Sequence, residues 1–243
     1  MKKIAYLISI SILFFNASAQ AEDDQWQANA GFSAVLNSGN AVNQTFGGNS
    51  AISYKHDNNK ISWTGNGAYG RAKSAGVTTT NTNNWNTIFR YDRFIDDHFS
   101  VYALSKIGAD RPAGFELRYG GSAGLAHLVF ENDLHKFQYE AGFDFTREER
   151  LPEPDANIYA ARTFLQYRYN FSKTAYFTQD VESLFNVKQG KDVRINTLSA
   201  LNVSITEKVA LQAGFAIRFD NQPVTGRKKV DTTTQLGLSV SFL

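Results

Sequence analysis

No cysteine occurs anywhere in the 243-residue chain. That excludes disulfide staples, thiolate metal sites and a cysteine nucleophile. The four prolines, Pro112, Pro152, Pro154 and Pro223, fall in polar stretches that read as loops, so none interrupts a long regular element. With four histidines and no cysteine there is no cluster of zinc-binding spacing, and no metal or other cofactor is expected. A formal net charge of +2 gives no reason to expect nucleic acid as a partner. Past the N-terminus, no apolar run reaches the roughly 18 residues of a transmembrane helix. That absence leaves a membrane-spanning barrel open, because half of each barrel strand is polar.

What is present begins with MKKIAYLISISILFFNASAQAEDD. Two lysines precede an apolar run from Ile4 to Phe15, and small residues follow. Ala17-Ser18-Ala19 and Ala19-Gln20-Ala21 both satisfy the small-x-small rule, so residues 1–21 read as a secretory signal peptide cut after Ala19 or Ala21. The rest, residues 22–243, has no linker or low-complexity tract and reads as one domain.

That domain is rich in aromatics, with 19 Phe, 11 Tyr and 3 Trp, and they recur with a period of two. In KFQYEAGFDFTREER, Phe137, Tyr139, Ala141, Phe143 and Phe145 share one face, while Lys136, Gln138, Glu140, Gly142, Asp144 and Thr146 share the other. Twelve segments carry the pattern, from WQANAGFSAVLN to TTTQLGLSVSFL. It is weakest in the fifth (FSVYALSKIGAD), ninth (AYFTQDVESLF) and tenth (VRINTLSALNVSI). Most are long enough for a tilted strand to cross a bilayer, at about 9–11 residues.

The connections sort by length. Short turns at His56–Asn59, Asp96–His98, Glu131–Asp133, Ser172-Lys173 and Thr206–Lys208 alternate with longer ones such as KSAGVTTTNTNN, REERLPEPDAN and NQPVTGRKK. Aromatics gather near strand ends: Trp26, Tyr54, Phe94, Phe99, Tyr169, Phe171 and Phe242 toward the short turns, and Tyr69, Trp85, Tyr119, Phe145, Tyr159 and Phe219 toward the long loops. Tight periplasmic turns, longer outer loops and two aromatic girdles together predict an all-β fold, a transmembrane antiparallel β-barrel of twelve strands in the outer membrane. The aromatic face then meets lipid and the carboxylates look inward. The competing reading, a soluble exported β-protein that binds a ligand, places the same aromatics in a core.

On the parity of the clearer segments, Arg90, Asp92, Arg118, Glu140, Asp144, Arg162, Arg168, Arg218 and Asp220 face the lumen. Both signs are interspersed, as in a hydrated pore or in a closed network of ion pairs, with no one-sided basic ladder. Arg227, Lys228 and Lys229 form a basic loop that would lie near the outer leaflet and meet lipopolysaccharide phosphates. Glu148, Glu149, Glu153 and Asp155 form an acidic loop whose oxygens suit a divalent cation, though such loops are more often simply solvated. Gly120, Gly121 and Gly124 relieve crowding or curve the sheet.

An outer-membrane hydrolase is the enzymatic alternative, and it needs a base near the outer rim. His56, His98 and His135 sit at or beside the short turns, and His127 lies in the same half of its segment, so no catalytic residues are assigned and no enzyme activity is expected.

Several stretches, LNSGNAVNQTF, AISYKHDNNKISW and above all RYDRFIDDHFSVYALSKIGADRPAGFELRYGGSAGLAHLVF, are similar to the YdiY-like family of salt-induced outer-membrane proteins. The likeness covers most of the mature chain and is strongest from Arg90 to Phe130. It implies an outer-membrane barrel and a link to salt or osmotic stress, and supplies no catalytic residues. The expected role is a small channel or an envelope-structural protein. Its expected partners are outer-membrane lipid, lipopolysaccharide and the machinery that assembles such barrels.

Overall fold

A computed structural model describes residues 25–37, 41–74 and 77–242; the predicted signal peptide lies outside the described residues. Twelve strands follow one another in chain order. They are β1 (Gln25–Asn37), β2 (Ala41–His56), β3 (Asn59–Ser74), β4 (Val77–Phe94), β5 (Phe99–Asp110) and β6 (Phe115–Glu131). The second half comprises β7 (His135–Arg150), β8 (Ala156–Asn170), β9 (Ala175–Asn186), β10 (Val193–Ser204), β11 (Val209–Asp220) and β12 (Val230–Ser241).

Each strand pairs antiparallel with its neighbours in sequence, and β1 closes the ring against β12 over a short seam from Asn29↔Ser241 to Ser33↔Gly237. Closure pairs the two edges that an open sheet would leave exposed. The weakly alternating fifth, ninth and tenth segments are strands like the rest. β9 and β10 alternate poorly in sequence because Leu184, Leu198 and Ala200, all buried, stand on the lumen side among the polar residues.

The faces sort as the alternation requires. Along β7, Glu140 and Asp144 are 1% and 0% exposed, while Phe143 between them is 48% exposed. The outer surface carries Trp26, Phe32, Phe46, Trp85, Phe89, Phe143, Phe215 and Leu236, all exposed. An apolar exterior around a polar, charged interior is the inverse of a soluble core and suits a barrel standing in lipid.

Toward the short turns, Trp26 stacks near Tyr54 with ring centroids 4.6 Å apart, and Tyr169 meets Phe171 edge-on at 4.9 Å. At the other end Phe145 lies 5.1 Å from Tyr159.

One connection differs from the sequence expectation. The stretch KSAGVTTTNTNN, read as a long loop, is mostly strand: β3 continues to Ser74 and β4 resumes at Val77. Its threonines are β-branched and favour the extended ladder despite their polarity. A register shift at Gly70/Arg71 absorbs the mismatch this extension creates.

Candidate functional site

Strand register, rather than proximity in sequence, assembles the lumen. Arg162 on β8 stands opposite Gly142 on β7 and Leu184 on β9, which leaves it diagonal to Glu140 and Glu182. Diagonal neighbours on one face lie within reach of a long side chain. Arg162 donates to Glu140 at 2.7 Å, to Glu182 at 2.7 Å and to the Tyr102 hydroxyl at 2.9 Å. From β4, Arg90 reaches the same Glu140 at 2.8 Å and its own neighbour Asp92 at 2.6 Å, with its guanidinium 4.6 Å from the Tyr102 ring centre.

To make that reach, Arg90 must cross β5 and β6. Gly124 and Gly142 face each other on that wall, and a Cβ at Gly142 would come within 2.7 Å of the Tyr102 hydroxyl. Glycine is what allows the buried Tyr102 to lie flat between the two arginines.

Above this layer, toward the longer loops, Asp144 accepts from Lys106 at 2.6 Å, Ser122 at 2.6 Å and Thr146 at 2.8 Å. The Ser122 hydroxyl donates to a carboxylate already paired with an ammonium group, so it is braced rather than activated as a nucleophile. Higher still, Glu148 gathers Arg118 at 2.9 Å, Arg150 at 2.6 Å and Arg194. Arg194 also meets Asp192 at 3.1 Å and Asp220 at 3.6 Å, while Arg218 contacts Asp110 at 3.4 Å. Of the acidic loop expected around Glu148 to Asp155, Glu148 belongs instead to this wall, because β7 runs on to Arg150. Glu153 and Asp155 stay in the loop: Glu153 accepts from Thr225, and Asp155 pairs with Arg147 at 2.9 Å.

All nine lumen candidates share the inward face. Arg90, Asp92, Glu140 and Arg162 form the deep layer, and Asp144 braces the wall above it. Arg118, Arg218 and Asp220 stand near the mouth. Arg168 lies apart from them, toward the short turns, with its guanidinium 3.7 Å from the Tyr176 ring centre. Sequence parity missed Lys106, Arg150, Glu182 and Arg194, three of which fall in the poorly alternating segments. Their signal was an ionisable side chain at a strand position of unclear face.

The opposite wall is different. Inward positions of β1, β2 and β3, such as Asn29, Gly31, Ser33, Asn49, Ala51, Ser62, Thr64 and Asn66, are small or carry amides and hydroxyls. Asn29 Oδ1, Thr45 Oγ1, Ser62 Oγ, Thr64 Oγ1 and both amide atoms of Asn84 are buried without a hydrogen-bond partner among the described residues.

At the long-loop end the lumen opens into a cavity of about 420 Å³, with Arg90 and Arg162 among its deepest residues. The connection from β11 to β12 folds across its mouth. Val224, 1% exposed, packs where a Cβ of Gly114 would stand, and Thr225 donates its amide to Glu153 at 2.7 Å and its hydroxyl to the same oxygen. Those two bonds hold the Glu153 carboxyl below the usual glutamate range. Arg227, Lys228 and Lys229 accordingly border the cavity. The four histidines are at the other end, where His127 stacks 4.2 Å from Phe99 and His135 bonds the Tyr167 hydroxyl at 2.8 Å.

The profile of a family described as "Protein of unknown function, DUF481" matches residues 30–242. No curated protein matches the sequence. Among solved structures the chain is similar to the NanC porin, at 14% identity and a TM-score of 0.54, over 89% of this chain and 99% of that one. It is also similar to the translocator domain of the autotransporter NalP from Neisseria meningitidis, at 11% identity and a TM-score of 0.47, over 92% and 90% of the two chains. At 14% identity the likeness to the NanC porin is one of fold: an outer-membrane-type barrel.

Proposed function

The chain belongs to the family described as a protein of unknown function, DUF481, and on that premise we propose that it is a narrow outer-membrane channel for small polar solutes. In this reading the signal peptide directs export, the barrel-assembly machinery inserts the strands, and lipid and lipopolysaccharide surround them. Resemblance to the YdiY-like family supports a role in salt or osmotic stress. Lipopolysaccharide phosphates are ligands that Arg227, Lys228 and Lys229 would attract from their position beside the mouth.

One observation carries the channel reading: the buried, unpartnered polar atoms of Asn29, Thr45, Ser62, Thr64 and Asn84 form a run along β1 to β4, whereas Arg118, His127 and Asn202 contribute only scattered ones elsewhere. Buried polar groups are costly without a partner, so a row of them fits a strip of wall that meets water. The charged wall opposite is braced by its own ion pairs, and the cavity at the long-loop end meets the uncharged strip at Asn66, Asn84 and Asn86.

The test uses the absence of cysteine. Refolded protein in a planar bilayer should show discrete conductance steps. In the Ala51→Cys variant, whose substituted side chain faces the strip, a small charged thiol reagent should reduce the steps, while wild type is unaffected. Silence from a barrel that migrates as folded on an unboiled gel would sink the channel and leave an envelope-structural role.

A further inference from the structure

By sequence, positive and negative residues are mixed around the lumen. In three dimensions the pairs around the mouth cavity that involve Arg118, Lys106 and Arg218 separate by depth. Side-chain exposure is 33% for Arg118 against 0% for Glu148, 23% for Lys106 against 1% for Asp144, and 30% for Arg218 against 12% for Asp110. Short carboxylates lie against the wall, while the long stems of arginine and lysine carry their charge past them into the bore. Glu182 and Asp220 run the other way, each more exposed than its arginine, as do Glu131 and Glu153 toward the two ends, while Arg90 and Asp92 are equally buried.

The β11–β12 connection adds Arg227, Lys228 and Lys229 to the rim of the same cavity. Arg118 is held in place by the Phe115 ring at 3.8 Å and by Glu148 at 2.9 Å, and a third of its side chain stays exposed to the bore. A guanidinium whose plane is fixed and whose edge is exposed is a receptor for planar or tetrahedral oxyanions.

We propose that the mouth cavity is a binding site for a small soluble organic oxyanion, a phosphate ester or carboxylate, held by Arg118 and Arg218 and drawn in by the rim cations. The proposal deepens the channel reading by naming its solute class, and rests on that reading for transport but not for binding. The volume of about 420 Å³ admits a metabolite-sized ligand. Attraction by exposed charge makes the affinity fall as salt rises.

The experiment titrates the refolded full chain, in detergent free of lipopolysaccharide, with glycerol 3-phosphate, succinate and glycerol by calorimetry. Both anions should bind and glycerol should not. Arg118→Gln and Arg218→Gln should each weaken anion binding by about tenfold. Arg168→Gln, at the other end of the lumen, should leave it unchanged. Gel mobility without boiling confirms folding of each variant, and Arg218→Lys, which keeps the charge but loses the fork, should fall between wild type and Arg218→Gln.

Failure of both anions to bind folded wild type, or equal affinity in the Gln variants, would overturn the site. Displacement of glycerol 3-phosphate by added lipopolysaccharide would overturn its assignment to a soluble ligand. Bilayer recordings separate the two readings. Discrete steps with cation preference overturn the oxyanion site and leave the channel. Silence with anion binding intact removes the channel and leaves the site.

Discussion

From β4 to β11 the lumen wall is a lattice of ion pairs, in which Glu140 holds two arginines and Glu148 three. From β12 through β1 to β3 the middle of the wall carries glycine, alanine, serine, threonine and amides, with Lys55, Lys60 and Asp231 only toward its ends. Both halves use the same strand geometry and the same apolar exterior. They differ in what a missing partner would cost. Removing one member of a buried ion pair strands a charge, whereas removing an unpartnered hydroxyl strands nothing. The charged half therefore braces the barrel, and the uncharged half is the side along which the proposed passage would run.

The sharpest way to break this comparison is to remove the acid shared at the floor. Glu140→Leu leaves Arg90 with Asp92 alone and Arg162 with Glu182 alone, and should destabilise the barrel by about 2–4 kcal/mol, read from the shift in its urea refolding midpoint. A change below about 1 kcal/mol would mean that the two arginines are solvated and the lattice is not structural.

Gly142→Ala tests the same wall without touching charge. Its methyl would press on the Tyr102 hydroxyl and the backbone of Gly124, for an expected loss of about 1–3 kcal/mol in the same assay.

On the opposite wall, Thr64→Val should change stability by less than about 1 kcal/mol, in either direction. A loss above about 2 kcal/mol would show that this hydroxyl is bonded and that the halves are alike.

The smallest effect concerns the loop over the mouth. Because the Thr225 bonds depress the Glu153 carboxyl, the tie is complete above the ordinary glutamate range and is lost as pH falls through the lowered value. Hydrogen exchange at the Thr225 amide should accelerate in acid, and Glu153→Gln should show faster exchange already at neutral pH. Exchange independent of pH in both proteins, after correction for intrinsic rates, would mean that Val224 alone seats the loop.

Much of the barrel was legible in the residues because a strand's period of two survives in sequence wherever its two faces differ in polarity. Lys136 to Arg150 shows this plainly, and its inward assignment of Glu140 and Asp144 holds. Two things hid the rest. Apolar residues on the lumen side blur the pattern in β9 and β10, which concealed Glu182 and Arg194. Polar β-branched residues can also extend a ladder, as Thr78 to Thr80 do in a stretch that resembles a loop.

The residue pattern alone carried the strand number, the strand order, the apolar and polar faces of the clearer strands and the inward groups on them, such as Glu140 and Asp144, because each is a local or periodic property of the chain. Only the tertiary structure decided which charges meet, how deep each lies, and that the β11–β12 loop turns its cations over the mouth. Those depend on the offset between strands and on the closure of β1 against β12, and pairings such as Arg90 with Glu140 bring together residues from strands that are not neighbours.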